Sequence, residues 1–303
     1  LLRREVDGLL TYHFESLAVE GLVHAVFTRL GGVSHPPFAT LNVGRSVGDD
    51  QTAVTQNHAR IYAYLGLAAG QVVSPHQVHG NRVAVATAAD AGREIPNTDG
   101  LVTNVTGLAL LLRFADCQPI LLYDPVHHAL GLIHAGWRSV AQGIAHRAVE
   151  TMQEAFDTDP EQLLAGLGPA IGPSCYTVGD NVASAMGYAL PDWNRVMSLR
   201  DDRWYLDLPG ANAQQLDVAG VRSVEQAHLC TACHSDEFYS HRAEGGRTGR
   251  FAVVAYLAMR AEQGGHDMAE GHPGEPGGIG PDEPDSLHPP GFPGFQEMLG
   301  DTQ

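Results

Sequence analysis

The chain has 303 residues, is 44% hydrophobic and 17% charged, and carries a formal net charge of −17. Its length and apolar content support a sizeable buried core and exclude a disordered chain. All 18 basic residues are arginines and the acids outnumber them, which excludes a nucleic-acid binder built on a basic face; no apolar run approaches the roughly 18 residues of a membrane span.

In chain order, LLRREVDGLLTYHF breaks its apolar residues with charges and does not read as a secretory signal. LVHAVFTR (22–29), RVAVATA (82–88), GLALLLRFA (107–115), PILLYDP (119–125) and ALGLIHAG (129–136) read as strands. SVAQGIAHRAVETMQEAF (139–156) places Val140, Ile144, Ala148, Met152 and Phe156 at helical spacing. EQLLAGLGPAIGPSCYTVG runs from a strand into a Gly/Pro-rich turn. GDNVASAMGYAL and GANAQQLDVAGV suggest two further helices, and FAVVAYLAMR (251–260) is undecided between strand and helix. The pattern predicts a mixed α/β domain over residues 1–260. Residues 261–303 hold nine acids, no base and much Gly and Pro, so a flexible C-terminal tail is expected there. No phosphate-binding glycine loop is present.

The four cysteines (Cys117, Cys175, Cys230 and Cys233) are too few for a disulfide scaffold, and a reducing cytoplasm is the expected setting. Cys230-x-x-Cys233-His234 has the spacing of a c-type haem attachment. Without an export signal that reading fails, and a zinc ribbon needs a second Cys-x-x-Cys pair that the sequence lacks.

Three places put metal-capable side chains beside apolar strands: His76 and His79 in SPHQVHG, Asp116-Cys117-Gln118 inside LLLRFADCQPILL, and His134 at the end of LGLIHAG. Burying a carboxylate and an amide within such a run is costly without partners, and a break at a functional site is one way to supply them. Thiolate and imidazole are the usual zinc ligands, and three of them with an open fourth position is the catalytic pattern. The turn YDPVHHA between Cys117 and His134 suits two adjacent strands that bring both to one sheet end. Each residue also has a plain reading: Cys117 as a small buried hydrophobe, His134 as a satisfied strand-end histidine, Asp116 as a cap or an arginine partner. From the residues alone, either His76 or His79 could be the ligand.

Seven blocks occur in an order that closely resembles the YfiH/YlmD family: TRLGGVSHPPFATLNVGRSVGDD (28–50), HQVHG (76–80), DGLVT (99–103), ADCQPILLYDP (115–125), IHAGWR (133–138), GPAIGP (168–173) and CTACHSDEFYSHRAEGGRTGR (230–250). That family carries three descriptions: laccase-like multicopper polyphenol oxidase, purine nucleoside phosphorylase and peptidoglycan editing factor. The resemblance implies a single layered αββα domain with mixed sheets. It implies a metal, usually zinc, on His79, Cys117 and His134. It also implies phosphorolysis of adenosine, inosine and methylthioadenosine, with adenosine deamination as a second activity. Two departures are Ser139, where many relatives have Gly, and Ser174-Cys175-Tyr176-Thr177, where many have Cys-Cys-Tyr-Glu. Neither touches a ligand position.

On this reading Asp116, Cys117, Arg29 and Arg242 are expected to be catalytic, the arginines holding phosphate bidentately. Asn42, His76, Gln118 and Tyr239 are expected to contact substrate. Cys230 and Cys233 are expected to be structural or at the pocket rim. The expected partners are a nucleoside and phosphate, with no nucleic acid and no membrane, in a monomer or homodimer. The alternatives are a copper-dependent phenol oxidase, a metal-free Cys117/His134 hydrolase dyad and a non-catalytic wall-editing factor. A laccase also needs a trinuclear copper cluster, usually built from His-x-His pairs, and the sequence has none.

Overall fold

The computed structural model describes residues 1–260; the expected acidic tail lies outside them. Strands β1 (Leu2–Val6), β2 (Leu9–His13) and β3 (Leu22–Phe27) open the chain, and helix α1 (Gln51–Leu65) follows. Then come β4 (Val72–Pro75), β5 (Val83–Val85), β6 (Glu94–Ile95), β7 (Gly100–Thr103), β8 (Ala109–Phe114), β9 (Gln118–Asp124) and β10 (Ala129–Ala135). After α2 (Trp137–Ala141) and α3 (Ile144–Phe156) come β11 (Leu164–Leu167), β12 (Thr177–Val178), α4 (Asp180–Ala189) and α5 (Trp193–Val196). Strands β13 (Met197–Arg200) and β14 (Arg203–Leu206), helix α6 (Leu208–Val218), and strands β15 (Ser223–Gln226) and β16 (Phe251–Leu257) complete the body.

Two large mixed sheets result, with strand orders β1-β2-β3-β16-β8-β4-β6 and β15-β11-β9-β10-β7-β5. They pack face to face through Leu110, Leu112, Phe251 and Val253 of the first and Leu101, Leu121, Leu130 and Leu132 of the second. Helix α3 covers the second sheet with Ile144, Ala148 and Met152 against Ile120, Leu122 and Ile133. Helix α1 covers the first through Ile61, against Phe27, Leu111 and Val254. The four layers are the expected αββα arrangement. Strands β8, β9, β10 and β16, covered on both faces, are almost wholly buried and therefore read as continuous apolar runs.

One local reading changes and two segments left open are settled. The expected helix 139–156 is broken at Gly143, whose φ of 77° ends α2 and restarts the chain as α3. FAVVAYLAMR resolves as a strand. The opening segment is a hairpin turned on Asp7-Gly8, both with positive φ, as a two-residue Asp-Gly turn requires.

Two buried histidines predict an acid-sensitive fold. His24 Nε2 accepts the Phe14 N–H at 2.9 Å, and burial, with the nearby His13, drives its pKa down to about 4. His58 donates from Nε2 to the Val43 carbonyl at 3.1 Å, and burial, with Arg113 and Arg45, lowers its pKa to about 4. Both are protonated in the unfolded chain below its ordinary value near 6.5 and stay neutral in the folded one. Their contribution is therefore complete above pH 6.5 and is lost as pH falls towards 4, at about 3 kcal/mol each. Urea midpoints should fall between pH 7.5 and 5, and His24→Gln should remove roughly half of that fall. A pH-independent midpoint would contradict the assignment.

Candidate active site

The chain leaves the first sheet at Phe114 and enters the second at Gln118, so Ala115-Asp116-Cys117 is the crossover between sheets. This is the break expected inside LLLRFADCQPILL. Asp116 has φ 85° there, a left-handed conformation uncommon outside glycine. Its Oδ1 accepts the Thr231 hydroxyl at 2.6 Å and its Oδ2 the Arg242 N–H at 2.7 Å, so the buried carboxylate has its partners. Strands β9 and β10 form the expected hairpin, in which His134 faces Pro119 and Ala135 faces Gln118. The turn is closed by Asp124 Oδ1, which accepts from Val126 N and His127 N.

His79 reaches the same place from the loop after β4, also with positive φ (60°). The ligand atoms of His79, Cys117 and His134 lie within 4.8 Å of one another. The two rings meet edge to face with centroids 4.9 Å apart. Gly136 closes the group from behind: a Cβ there would stand 2.9 Å from Cys117 Sγ and 3.2 Å from the His79 ring, so only glycine fits. His76 is at the cleft wall and outside this trio.

Asp99, which the sequence reading missed, organises the trio. It is fully buried. Its Oδ1 accepts from His134 Nδ1 at 2.9 Å and from His79 N at 2.9 Å, and its Oδ2 from Val78 N at 3.1 Å and Gly80 N at 2.8 Å. This fixes the His134 tautomer and leaves Nε2 for the trio. Burial opposes ionisation of Asp99, but the His134 ring and the backbone donors hold its pKa below the ordinary range. Burial likewise opposes the Cys117 thiolate, and the His134 and His79 imidazoles overcome it, so the thiol pKa is depressed. The His134 pKa rises, against its own burial, beside Cys117 and Asp99. Sequence carried one signal for this residue: an aspartate opening the buried strand DGLVT.

The trio forms the floor of a cleft of about 650 Å³. Its rim includes Arg45, Arg138, Tyr176, His241, Arg242 and Arg250. Arg242 donates to Thr177 O at 2.7 Å and Oγ1 at 2.8 Å, and lies over the Tyr176 ring. Arg138 stacks on Trp137. Among the described residues, the side chains of Arg45 and Arg138 make no hydrogen bond and no ion pair, which leaves both guanidinium forks open.

The other expected site residues lie away from the cleft wall. Arg29 donates to Ala39 O, Ser235 O and Glu244, and stacks on Tyr239. Tyr239 is buried with its hydroxyl on Phe38 O. Asn42 is buried and ties Gly44, Asp49 and Arg250 together. Gln118 is buried between Gly168 O and Asn212. Asn42 acts on the cleft indirectly, since Gly44 and Arg250 line it.

An αββα sandwich with a thiol–imidazole trio at the sheet crossover, beneath a rim of arginines, defines a metal-capable small-molecule domain. Residues 23–258 match the family model described as multi-copper polyphenol oxidoreductase laccase, and the chain belongs to this family, the YfiH/YlmD family. It is 38% identical over 253 residues to purine nucleoside phosphorylase YlmD of Geobacillus stearothermophilus, covering 80% of this chain and 92% of that one. It is also 38% identical over 247 residues to a purine nucleoside phosphorylase of Deinococcus radiodurans, covering 81% and 93%. The crystal structure of the Bacillus licheniformis hypothetical protein YfiH superposes with a TM-score of 0.79 at 32% identity, over 84% of this chain and 98% of that one. Among the described residues, no helix is long and apolar enough to cross a membrane.

Proposed function

We propose that this chain is a zinc-dependent purine nucleoside phosphorylase acting on adenosine, inosine and methylthioadenosine, with adenosine deamination as a second activity. One observation carries the reading: an oriented His79/Cys117/His134 trio and two open arginines, Arg45 and Arg138, share one cleft. The names of the relatives support it.

The donor set fits zinc, with borderline-soft nitrogen and sulfur ligands and one imidazole locked from behind by a carboxylate. When bound, zinc supplies a Lewis acid at the cleft floor. The protein's own groups do the remainder. Arg45 and Arg138 hold phosphate, whose oxygens match guanidinium forks, and Arg242 adds a third positive charge at the rim. A phosphate oxygen bonds to the ribose C1′ as the bond from C1′ to the purine nitrogen breaks. The bonding pair departs on the base, which is reprotonated from solvent. Asp116, with both oxygens engaged, positions Arg242 and the Thr231 loop. Tyr176 and Trp137 give the planar base apolar surface.

The family description favours one other reading, copper-dependent phenol oxidation. A His₂Cys set can take a single copper with a weak axial sulfur. No methionine lines the cleft, and among the described residues the only other metal-capable trio is made of thiols alone.

The test is chromatography after incubation with inosine, with and without phosphate. Hypoxanthine and ribose 1-phosphate should appear only with phosphate, and adenosine should also yield inosine and ammonia. If inosine, adenosine and methylthioadenosine are all inert, the phosphorylase reading fails and weight moves to phenol oxidation or a wall-editing role.

A further inference from the structure

The thiol trio lies where the Gly/Pro-rich loop after β11 meets the CTACH segment. Ala170 and Cys230 pair as an isolated parallel bridge, with Ala170 N donating to Leu229 O at 3.2 Å and Thr231 N to Ala170 O at 3.1 Å. That pairing brings Cys175 to the Cys230-x-x-Cys233 turn. The three sulfurs lie within 4.8 Å of one another, and those of Cys175 and Cys233 are 3.4 Å apart. All three cysteines are free. Gly172 N donates to Cys230 Sγ at 3.2 Å. A Cβ at Gly172 would stand 3.2 Å from Cys230 Cβ, so the absence of a side chain lets the loop close on the sulfur. Cys233 is exposed and the other two are half-buried, unlike cysteines that serve only as core hydrophobes.

We propose that Cys175, Cys230 and Cys233 form a second metal site, a three-thiolate seat for Cu(I), distinct from the His79/Cys117/His134 trio. Three soft ligands select a soft ion. Among the described residues no histidine nitrogen or carboxylate oxygen joins the cluster, whereas structural zinc sites are almost always four-coordinate. One local effect favours the thiolate of Cys230. Although burial opposes it, the N–H groups around Cys230 hold its pKa below the ordinary range. On binding, three S–Cu bonds form, the three thiols release their protons to solvent, and copper stays monovalent. The ion joins two loops whose next residues serve the cleft: Tyr176 lines it, and Thr231 holds Asp116.

The test uses reduced full-length protein without oxygen and neither readout involves a nucleoside, so its failure is separable from failure of the phosphorylase reading. Cu(I) is titrated against a chromophoric Cu(I) chelator. Wild type should bind one equivalent more than the Cys175→Ser/Cys233→Ser variant; equal stoichiometry overturns the proposal. A second readout needs only wild type: iodoacetamide labelling mapped by mass spectrometry. Saturating Cu(I) should slow alkylation of Cys175, Cys230 and Cys233 together by at least tenfold; unchanged rates at these three overturn it.

Discussion

Replacing Cys117 with alanine should abolish inosine phosphorolysis and strip the bound metal in the same variant, with turnover falling by about 10³-fold or more. Cys117 is the one anionic donor of the trio, and its neighbours make it so: the His134 and His79 imidazoles depress its pKa against the opposing effect of burial. A Lewis acid at a cleft floor is worth several kcal/mol of charge stabilisation, and each 1.4 kcal/mol or so is a factor of ten in rate. Metal analysis and kcat/KM on the same preparation check this. Activity surviving loss of the metal would shift the reading to a metal-free mechanism. Survival of both would sink the role of Cys117 altogether.

Asp99→Ala should be nearly as damaging without touching substrate. It removes the acceptor for four donors: His134 Nδ1 and the N–H groups of Val78, His79 and Gly80. Leaving such donors unpaired away from water costs about 1–3 kcal/mol each where no replacement is found, so a loss of roughly 3–5 kcal/mol in stability is expected, with metal affinity falling about 10–100-fold. Asp99→Asn keeps an acceptor oxygen and should fall between wild type and alanine. Zinc competition against a chelator and melting of the metal-free protein separate the two effects. An alanine variant with wild-type zinc affinity would remove Asp99 from the site.

The two-sided burial of β8, β9 and β10 made these central strands legible as apolar runs, whereas the equally apolar β16 left strand and helix undecided, and the polar interruption at Asp116-Cys117 marked the break. Helix α1 was not legible. Its inward stripe is Val54, Asn57, His58 and Ile61, which has the helical period, but two of its four members are polar. Asn57 is buried because it donates to Ser34, Thr40 and Asn42, a tertiary fact no local pattern contains. Arg29, Asn42, Gln118 and Tyr239 carry functional chemistry in their side chains, yet here those groups are engaged in hydrogen bonds within the fold. Arg45 and Arg138 looked ordinary, and only the fold shows both at the cleft without a hydrogen bond or ion pair to their guanidinium groups among the described residues. Cys175 stands far along the chain from Cys230, so the third thiol was invisible beside the Cys-x-x-Cys turn.

The crossover at Asp116-Cys117 also sets the order in which this protein can mature. His79 lies in the loop after β4 of one sheet, His134 lies near the end of a strand of the other, and Cys117 is the step between them. In the unfolded chain these donors are scattered, and gathering them costs loop-closure entropy before any ion rewards it. The trio exists only after both sheets have docked, so any ion it holds would be captured at the close of assembly. An ion held there would latch the two layers together, and would stabilise the docked sandwich by an amount that grows with the logarithm of its free concentration over its dissociation constant.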